Sequence, residues 1–149
     1  MAAAEPLYAA LTVDVDPDAN RPAAGRPDAV SPEGEAAFTA CLQGLDALVA
    51  LLEERRLPAT FFWEGRTLQA LAERSPTLLE RVRSCDAFEH GCHGFAHEDF
   101  SGAGSGVPLT RPQTRRALRR AAEAFRLHFG RDPQAFRAPY CRMTEHLES

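Results

Sequence analysis

The segment HGCHGFAHED, residues 90–99, places three histidines within eight positions. His93 and His97 are four residues apart, so on one helical turn or in a tight loop their imidazoles point the same way. Two imidazoles so arranged can share a metal ion at about 2.0–2.1 Å from each nitrogen, but a catalytic site needs a third ligand and a position left for water. Taken alone, the spacing favours the plainer interpretation of two surface histidines that happen to lie near each other.

A D-x-D pair near the start of the chain offers the third ligand. Asp14 and Asp16 end a short apolar run, and in an extended strand both side chains point to the same side. One carboxylate would bind the metal while the other takes a proton from the attacking water. Arg137 could hold that base ionised through a charge-assisted hydrogen bond. An acidic turn or a calcium loop is the alternative, but the spaced oxygen ligands of an EF-hand do not follow.

The elements that must position these residues alternate along the chain. Short apolar runs predict four parallel strands, in residues 7–15, around 60–63, in 86–94 and in 134–140. Apolar spacings of three and four predict helices in 35–56, in 66–84 with a break near Pro76, and in 110–130 with Thr110 as cap and Gly130 as end. The proline-rich segment 17–34 predicts a long loop without regular structure, and TEHLES, residues 144–149, the first turns of a helix.

This alternation indicates an α/β fold with outer helices and right-handed crossovers. The chemistry of such folds lies at the C-terminal ends of the strands. Here those ends carry DVD, FWEG, HGCHGFAHED and RAPY, so we expect these segments to meet on one side of the sheet.

Composition limits the class of protein and its partners. The 149 residues, 44% hydrophobic and 26% charged, fit one soluble globular domain. The net charge of -4 argues against a nucleic-acid partner and favours a small or neutral substrate. We expect no membrane contact, because no apolar run is expected to be long enough to span a bilayer. We also expect a cytoplasmic location, because the first residues lack the basic n-region of a signal peptide. We expect five arginines of the third helix to form a solvated outer helix face: Arg111, Arg115, Arg116, Arg119 and Arg120.

Four segments together resemble the motifs of one enzyme family. LTVDVD, PATFFWEGR, HGCHGFAHED and RAPY are similar, in order and spacing, to the first motifs of the polysaccharide deacetylases, the NodB homology domain of carbohydrate esterase family 4. The resemblance implies a distorted (β/α) barrel, a divalent metal such as zinc, and hydrolysis of a non-peptide carbon–nitrogen bond, as in deacetylation of an N-acetylated carbohydrate. It implies these roles: Asp14 as catalytic base; Asp16, His93 and His97 as metal ligands; Arg137 as the arginine that positions the base; and the Tyr140 backbone N–H as donor to the oxyanion.

Departures from the family pattern keep alternatives open. The D-x-D spacing, and Gly94 where many members have Ser or Thr, resemble a branch whose substrates include non-sugar amides, so the substrate could be an oligosaccharide or a small amide. The later motifs, which supply a pocket wall and a general-acid histidine, do not occur in the sequence. Residues 1–149 are therefore expected to form the N-terminal portion of a partial barrel, and an inactive or weakly active module that keeps the metal site is the alternative to an enzyme.

Several further residues have open interpretations. A partial barrel would leave its last parallel strand without a neighbour and its apolar inner face uncovered, and the exposed sheet edge would favour homo-oligomers if the chain is complete. His90, His128 and His146 could replace the missing acid, although a structural position suits each better. Cys92 or Cys141 could join the histidines around a purely structural metal, but packed thiols are favoured, and Cys41 and Cys85 are also expected as buried thiols. Trp63, Glu64 and Arg66 could line a substrate groove or serve the core and a loop.

Overall fold

A computed structural model of the chain describes residues 8–17, 21–30, 35–142 and 144. Its strands are β1 (Thr12–Val15), β2 (Arg21–Pro22), β3 (Ala29–Val30), β4 (Ala59–Trp63) and β5 (Phe88–Cys92). Its helices are α1 (Glu35–Arg55), α2 (Gly65–Arg74), α3 (Pro76–Ser84) and α4 (Arg111–Phe129), and a 3₁₀ turn follows at Pro139–Cys141. The central sheet is parallel, in the order β1, β4, β5. The predicted α/β class with outer helices is confirmed.

One face of this sheet packs against the helices. Side chains alternate along each strand, so the register places two apolar rows on the same face: Val13, Phe61 and His90, then Val15, Trp63 and Cys92. Helix α1 supplies the facing residues at the helical spacing of three and four, Leu42, Leu45, Val49 and Leu52, all buried in the main core. We call this the helix-covered face.

The opposite face, here called the open face, is polar. Its two rows are Thr12, Thr60 and Glu89, then Asp14, Phe62 and Gly91. The Thr60 hydroxyl donates to Glu89 Oε2 at 2.8 Å, and the Arg137 guanidinium lies 4.2 Å from the centre of the Phe62 ring, which is only 9% exposed. The open face of the described strands is therefore more polar than predicted, and self-association through the exposed sheet edge stays a prediction.

The fourth predicted strand contributes only a single parallel bridge, between Phe136 and Cys92. Two backbone hydrogen bonds of 2.9 Å support it, from the Cys92 N–H to the Ala135 carbonyl and from the Arg137 N–H to the Cys92 carbonyl. The segment then turns, because Pro139 has no N–H to donate and Tyr140 adopts a positive φ of 59°. The ladder thus has three strands instead of about four.

Two other segments differ from expectation near the start of the chain. Strand β1 is shorter than residues 7–15 and lies at the sheet edge, where Leu11 is 44% exposed, so it is not a fully buried strand. The segment 17–34 contains the antiparallel pair β2–β3, although sequence analysis predicts no regular structure there. The predicted helical turns in 145–149 and the start of the first strand at residue 7 lie outside the described residues.

The helix boundaries follow the local signals. Pro76 begins α3 after a break at Ser75, since proline is tolerated in a first helical turn. Thr110 caps α4 with Gln113 Oε1 accepting from its backbone N–H at 2.9 Å, and Gly130 ends the helix in the left-handed region at φ 68°. Both predictions for this helix are confirmed.

Helix α1 is more apolar than sequence analysis allowed. By length and composition alone Ala36–Arg55 could cross a membrane, with a mean hydropathy of 1.4 and 28% of the scored window buried, contrary to the expectation that no apolar run is long enough. A core helix passes the same test, and α1 places Leu42, Leu45, Val49 and Leu52 in the core of the domain.

Candidate metal centre

Asp16, His93 and His97 come together at the C-terminal ends of β1 and β5. One ligand atom from each lies within 4.8 Å of the others. The Nε2 atoms of His97 and His93 are 2.8 Å and 3.5 Å from Asp16 Oδ2. Tetrahedral bonds of about 2.0–2.1 Å place neighbouring ligand atoms roughly 3.3 Å apart, so two nitrogens and one carboxylate oxygen at these distances suit one zinc-sized ion.

His93 has the protonation state that a ligand needs. Its Nδ1 lies 3.0 Å from the Arg137 carbonyl oxygen, which can only accept, so Nδ1 carries the hydrogen and the Nε2 lone pair faces Asp16. Burial lowers the pKa of His93, a larger effect than the opposing attraction of Asp14 and Asp16. A neutral imidazole with a fixed tautomer is the form that binds metal.

The loop that carries both histidines is held by backbone contacts and one buried acid. The His93 N–H donates to the Trp63 carbonyl at 2.8 Å, and the Gly65 N–H donates to the Gly94 carbonyl at 3.0 Å. Glu98 Oε2 accepts from the Phe95 N–H at 3.0 Å, and a Cβ on Gly94 would lie 2.6 Å from that oxygen. Gly94 also has a φ of 79°, a backbone conformation that favours glycine at this departure from the family pattern.

Asp14 lies beside the candidate ligands without joining them. Its Oδ1 accepts from Arg137 Nη1 at 2.6 Å, while its Oδ2 is 3.9 Å from His93 Nε2. Arg137 Nη2 donates to the Thr12 hydroxyl at 2.8 Å, and the guanidinium stacks on Phe62. A carboxylate is thereby fixed next to the centre, which is the arrangement that a general base requires.

Tyr140 borders the centre from the segment after Phe136. Its ring meets that of His97 nearly at right angles, 85°, with 4.5 Å between ring centres. Burial raises the pKa of the Tyr140 phenol to about 12, and the nearby acids Asp99 and Asp16 add to that effect. The proximity agrees with the predicted site, and the oxyanion role of the Tyr140 backbone N–H stays a prediction.

The cysteines do not join the centre. Cys92 lies on the helix-covered face, where its thiol contacts the Ala121 carbonyl at 3.7 Å and burial raises its pKa to about 12. Within the described residues the metal-competent cluster consists of Asp16, His93 and His97, so a structural metal held by Cys92 or Cys141 is not supported. Cys41 and Cys85 are only partly buried, and the structure shows no disulfide.

The other candidate residues of the sequence lie elsewhere. His90 is on the helix-covered face and His128 is on α4, so neither reaches the centre, while His146 lies outside the described residues. Trp63 is a core residue, 1% exposed. Buried Glu64 caps α2 through the Thr67 N–H at 3.2 Å and pairs with Arg66 at 2.8 Å, so its role in the structure is local.

Sequence analysis missed two residues that support Arg137. Thr12 bonds its guanidinium and Phe62 lies under it. The signal for Thr12 was present, because it precedes Asp14 by two positions and therefore shares its face of the strand. Phe62 could not be found without the register, since it is adjacent to Asp14 only across the β1–β4 pair.

A family model for polysaccharide deacetylases matches residues 37–149. This match covers more than half of the 149 residues, and the chain belongs to the polysaccharide deacetylase family. The matched residues begin after Asp14 and Asp16, so the roles of these two acids depend on the geometry and the motif resemblance. A search of curated proteins found no match.

Solved structures share the fold. A provisionally assigned polysaccharide deacetylase from Mycobacterium smegmatis is 26% identical, with a TM-score of 0.62 over 93% of this chain and 45% of that chain. The Bc1960 peptidoglycan N-acetylglucosamine deacetylase is 21% identical, with a TM-score of 0.63 over 93% and 50% of the two chains. BA3943, a CE4 family pseudoenzyme from Bacillus anthracis, is 18% identical, with a TM-score of 0.59 over 93% and 37%. The chain spans about half or less of the length of these relatives.

Proposed function

We propose that this chain is a metal-dependent hydrolase of a non-peptide carbon–nitrogen bond that removes the acetyl group from an N-acetylated carbohydrate. The observation that carries the proposal is the placement of Asp14, held by Arg137 at 2.6 Å, with its other oxygen 3.9 Å from a nitrogen of the Asp16, His93 and His97 cluster. Membership of the polysaccharide deacetylase family supports the substrate class. Zinc suits two imidazoles and one carboxylate.

The residues of the chain divide the work of amide hydrolysis. A metal ion held by Asp16, His93 and His97 would supply Lewis acidity for the acetyl carbonyl and for the attacking water. Asp14 accepts the proton of that water, and Arg137 holds the carboxylate in position for this step. The Tyr140 backbone N–H donates to the oxygen that becomes negative when the carbonyl is attacked. His93 stays neutral, because its burial disfavours the imidazolium.

A binding module without turnover is the second candidate. The chain spans about half or less of its structural relatives, one of which is a pseudoenzyme. In the part of the chain that the structure describes, His93 and His97 are the histidines at the centre, so no further imidazole is available there as general acid. A small non-sugar amide remains an alternative substrate on the basis of the D-x-D spacing and Gly94. The cytoplasmic location and the extent of the domain stay predictions.

Metal content measured beside acetate release tests the function. We expect about one zinc per chain after zinc is added to folded protein, and acetate release from an N-acetylglucosamine oligomer. His97→Ala should lose both, whereas Asp14→Asn should keep the metal and lose about 10²–10⁴-fold in rate, because it removes only the base. His128→Ala is the matched control and should change neither.

Three outcomes discriminate between the candidates. An absence of metal in the folded wild type would rule out the hydrolase. Metal binding that needs His97 but gives no acetate from sugars or small amides would favour the binding module. Equal activity of Asp14→Asn and the wild type would remove the base from its assigned role.

A further inference from the structure

Several arginines of helix α4 lie on its solvent-exposed surface. Its buried residues, Thr114, Ala117, Ala121, Ala124 and Phe125, define one side of the helix. At about 100° per residue, Arg115, Arg116 and Arg119 lie on the side away from the core and Arg111 lies at the margin of that side, all exposed. We call these four residues the arginine stripe.

The stripe has no partner within the chain as far as the structure describes it. None of the four arginines has an ion pair or a side-chain hydrogen bond among the described residues, and they line an open surface depression with Pro112 and no acid. Arg116 also borders a second depression, which contains Asp28 and Glu98 without an ion pair to either. Other arginines of α4 are engaged: Arg126 pairs with Asp132 at 2.8 Å, and Arg120 lies 3.9 Å from the centre of the Phe95 ring. The one acid of α4 is Glu123, beyond the end of the stripe.

This arrangement opposes the stability of the helix. Arg111, Arg115 and Arg119 are successive neighbours four positions apart, so their like charges repel. The stripe also begins at the helix N-terminus, where the peptide dipoles are already positive and acidic residues would be favourable, and the first turn of α4 has none. A helix face selected only for solubility would mix both signs of charge, whereas a bound anion would compensate this excess.

The stripe begins at the same end of the sheet as the candidate metal centre. Helix α4 follows the loop of His93 and His97, and as a crossover it begins at the end of the sheet where that loop lies. Arg120, next to the stripe, stacks on Phe95, which lies between the two histidines in sequence. A long chain molecule could therefore reach from the centre onto the start of α4.

The chemistry of the surface favours one kind of anion. No aromatic residue lines the depression, so a nucleic acid would find no platform for its bases. The depression is lined by arginines and Pro112, so a membrane would gain no apolar insertion there, and the exposed Leu127 lies about two turns further along α4. Successive arginines four positions apart rise about 6 Å along the helix, and each guanidinium can pair bidentately with a carboxylate or phosphate group of a charged glycan.

We propose that the arginine stripe is a binding surface for an anionic polysaccharide. It depends on the proposed function only for the choice of a glycan, and binding does not need the metal or turnover. The polymer would be held by charge on α4 while a neighbouring sugar unit reaches the centre.

Titration of the full chain with an oligogalacturonate tests this surface, with a neutral N-acetylglucosamine oligomer of equal length as the control ligand. Arg111→Gln, Arg115→Gln and Arg119→Gln are combined in one variant. The matched control combines Arg26→Gln, Arg56→Gln and Arg131→Gln, which removes the same charge from other exposed arginines that have no ion pair among the described residues. We expect the stripe variant to weaken oligogalacturonate binding by about 10-fold or more and to flatten its salt dependence between about 50 and 200 mM, because fewer counterions are released. The control should bind as the wild type does.

The outcomes separate this surface from the catalytic proposal. Equal weakening in both triple variants would show a simple net-charge effect and overturn the proposal. So would an absence of oligogalacturonate binding at low salt, or tighter binding of a single-stranded oligonucleotide or of phosphatidylglycerol vesicles. Circular dichroism of each variant verifies that α4 is intact. His97→Ala should still bind the polymer, so failure of the metal centre leaves the stripe independently testable.

Discussion

The Thr12 hydroxyl positions the proposed base Asp14 indirectly, through Arg137. It accepts from Arg137 Nη2 at 2.8 Å, and Arg137 in turn fixes Asp14. In Thr12→Val the Arg137 guanidinium loses one of its two side-chain hydrogen-bond partners, which costs about 1 kcal/mol. We expect kcat for deacetylation to fall by about 5- to 10-fold with metal content unchanged.

The neighbouring strand offers a matched control for Thr12. Thr60 lies beside Thr12 in the register, but its hydroxyl donates to Glu89 instead. Thr60→Val therefore removes the same chemical group from the same face without touching Arg137. A similar fall in kcat in both variants would show that a general effect of the open face, and not the position of Arg137, sets the rate.

At the scale of elements, the histidine loop depends on a glycine. A Cβ on Gly94 would meet Glu98 Oε2 at 2.6 Å, and the φ of 79° adds strain for any other residue. Gly94→Ala should lower the free energy of unfolding by about 1–3 kcal/mol, because the conformation is unfavourable for alanine. It should also weaken zinc binding, since the loop carries two of the three ligands.

Gly44 in α1 is the control for Gly94, because the same substitution there should have the opposite effect on the free energy of unfolding in chemical denaturation. Nothing lies within 4 Å of a Cβ placed there, and the position is helical. Gly44→Ala should raise the free energy of unfolding by up to about 1 kcal/mol through helix propensity. If Gly94→Ala proves as harmless as Gly44→Ala, the loop is able to relax and the geometry of Glu98 does not constrain it.

At the scale of the whole molecule, the features that the sequence could predict are those that depend on residues close together in the chain. The ends of α4 and the break at Pro76 depend on neighbouring residues, and they were predictable for that reason. The approach of Asp16 to His97 was predictable because parallel strands present their C-terminal ends together. The polar open face, the position of Phe62 and the single bridge at Phe136 depend on register and on long-range pairing, which periodicity along one strand does not contain.

A histidine buried in the core also makes the free energy of unfolding depend on pH. His90 is buried among aromatic rings, and its Nδ1 accepts from Trp63 Nε1 at 3.2 Å. Burial lowers the pKa of His90 from 6.5 to about 4, with the charge of Arg131 adding to the effect. The unfolded chain therefore binds the proton more readily than the folded chain in that interval. The contribution of neutral His90 is complete above about pH 6.5 and is lost as the pH falls to about 4.

Unfolding monitored by tryptophan fluorescence measures this contribution, because Trp63 is the single tryptophan. Wild type should lose up to about 3 kcal/mol more stability than His90→Gln between pH 6.5 and pH 4, since each unit of pKa difference corresponds to about 1.4 kcal/mol. Glutamine keeps an acceptor for the Trp63 N–H but does not titrate. The difference between the two proteins removes the shared titration of the carboxylates and of His93. Parallel stability curves over that interval would mean that His90 takes up its proton without disturbing the fold.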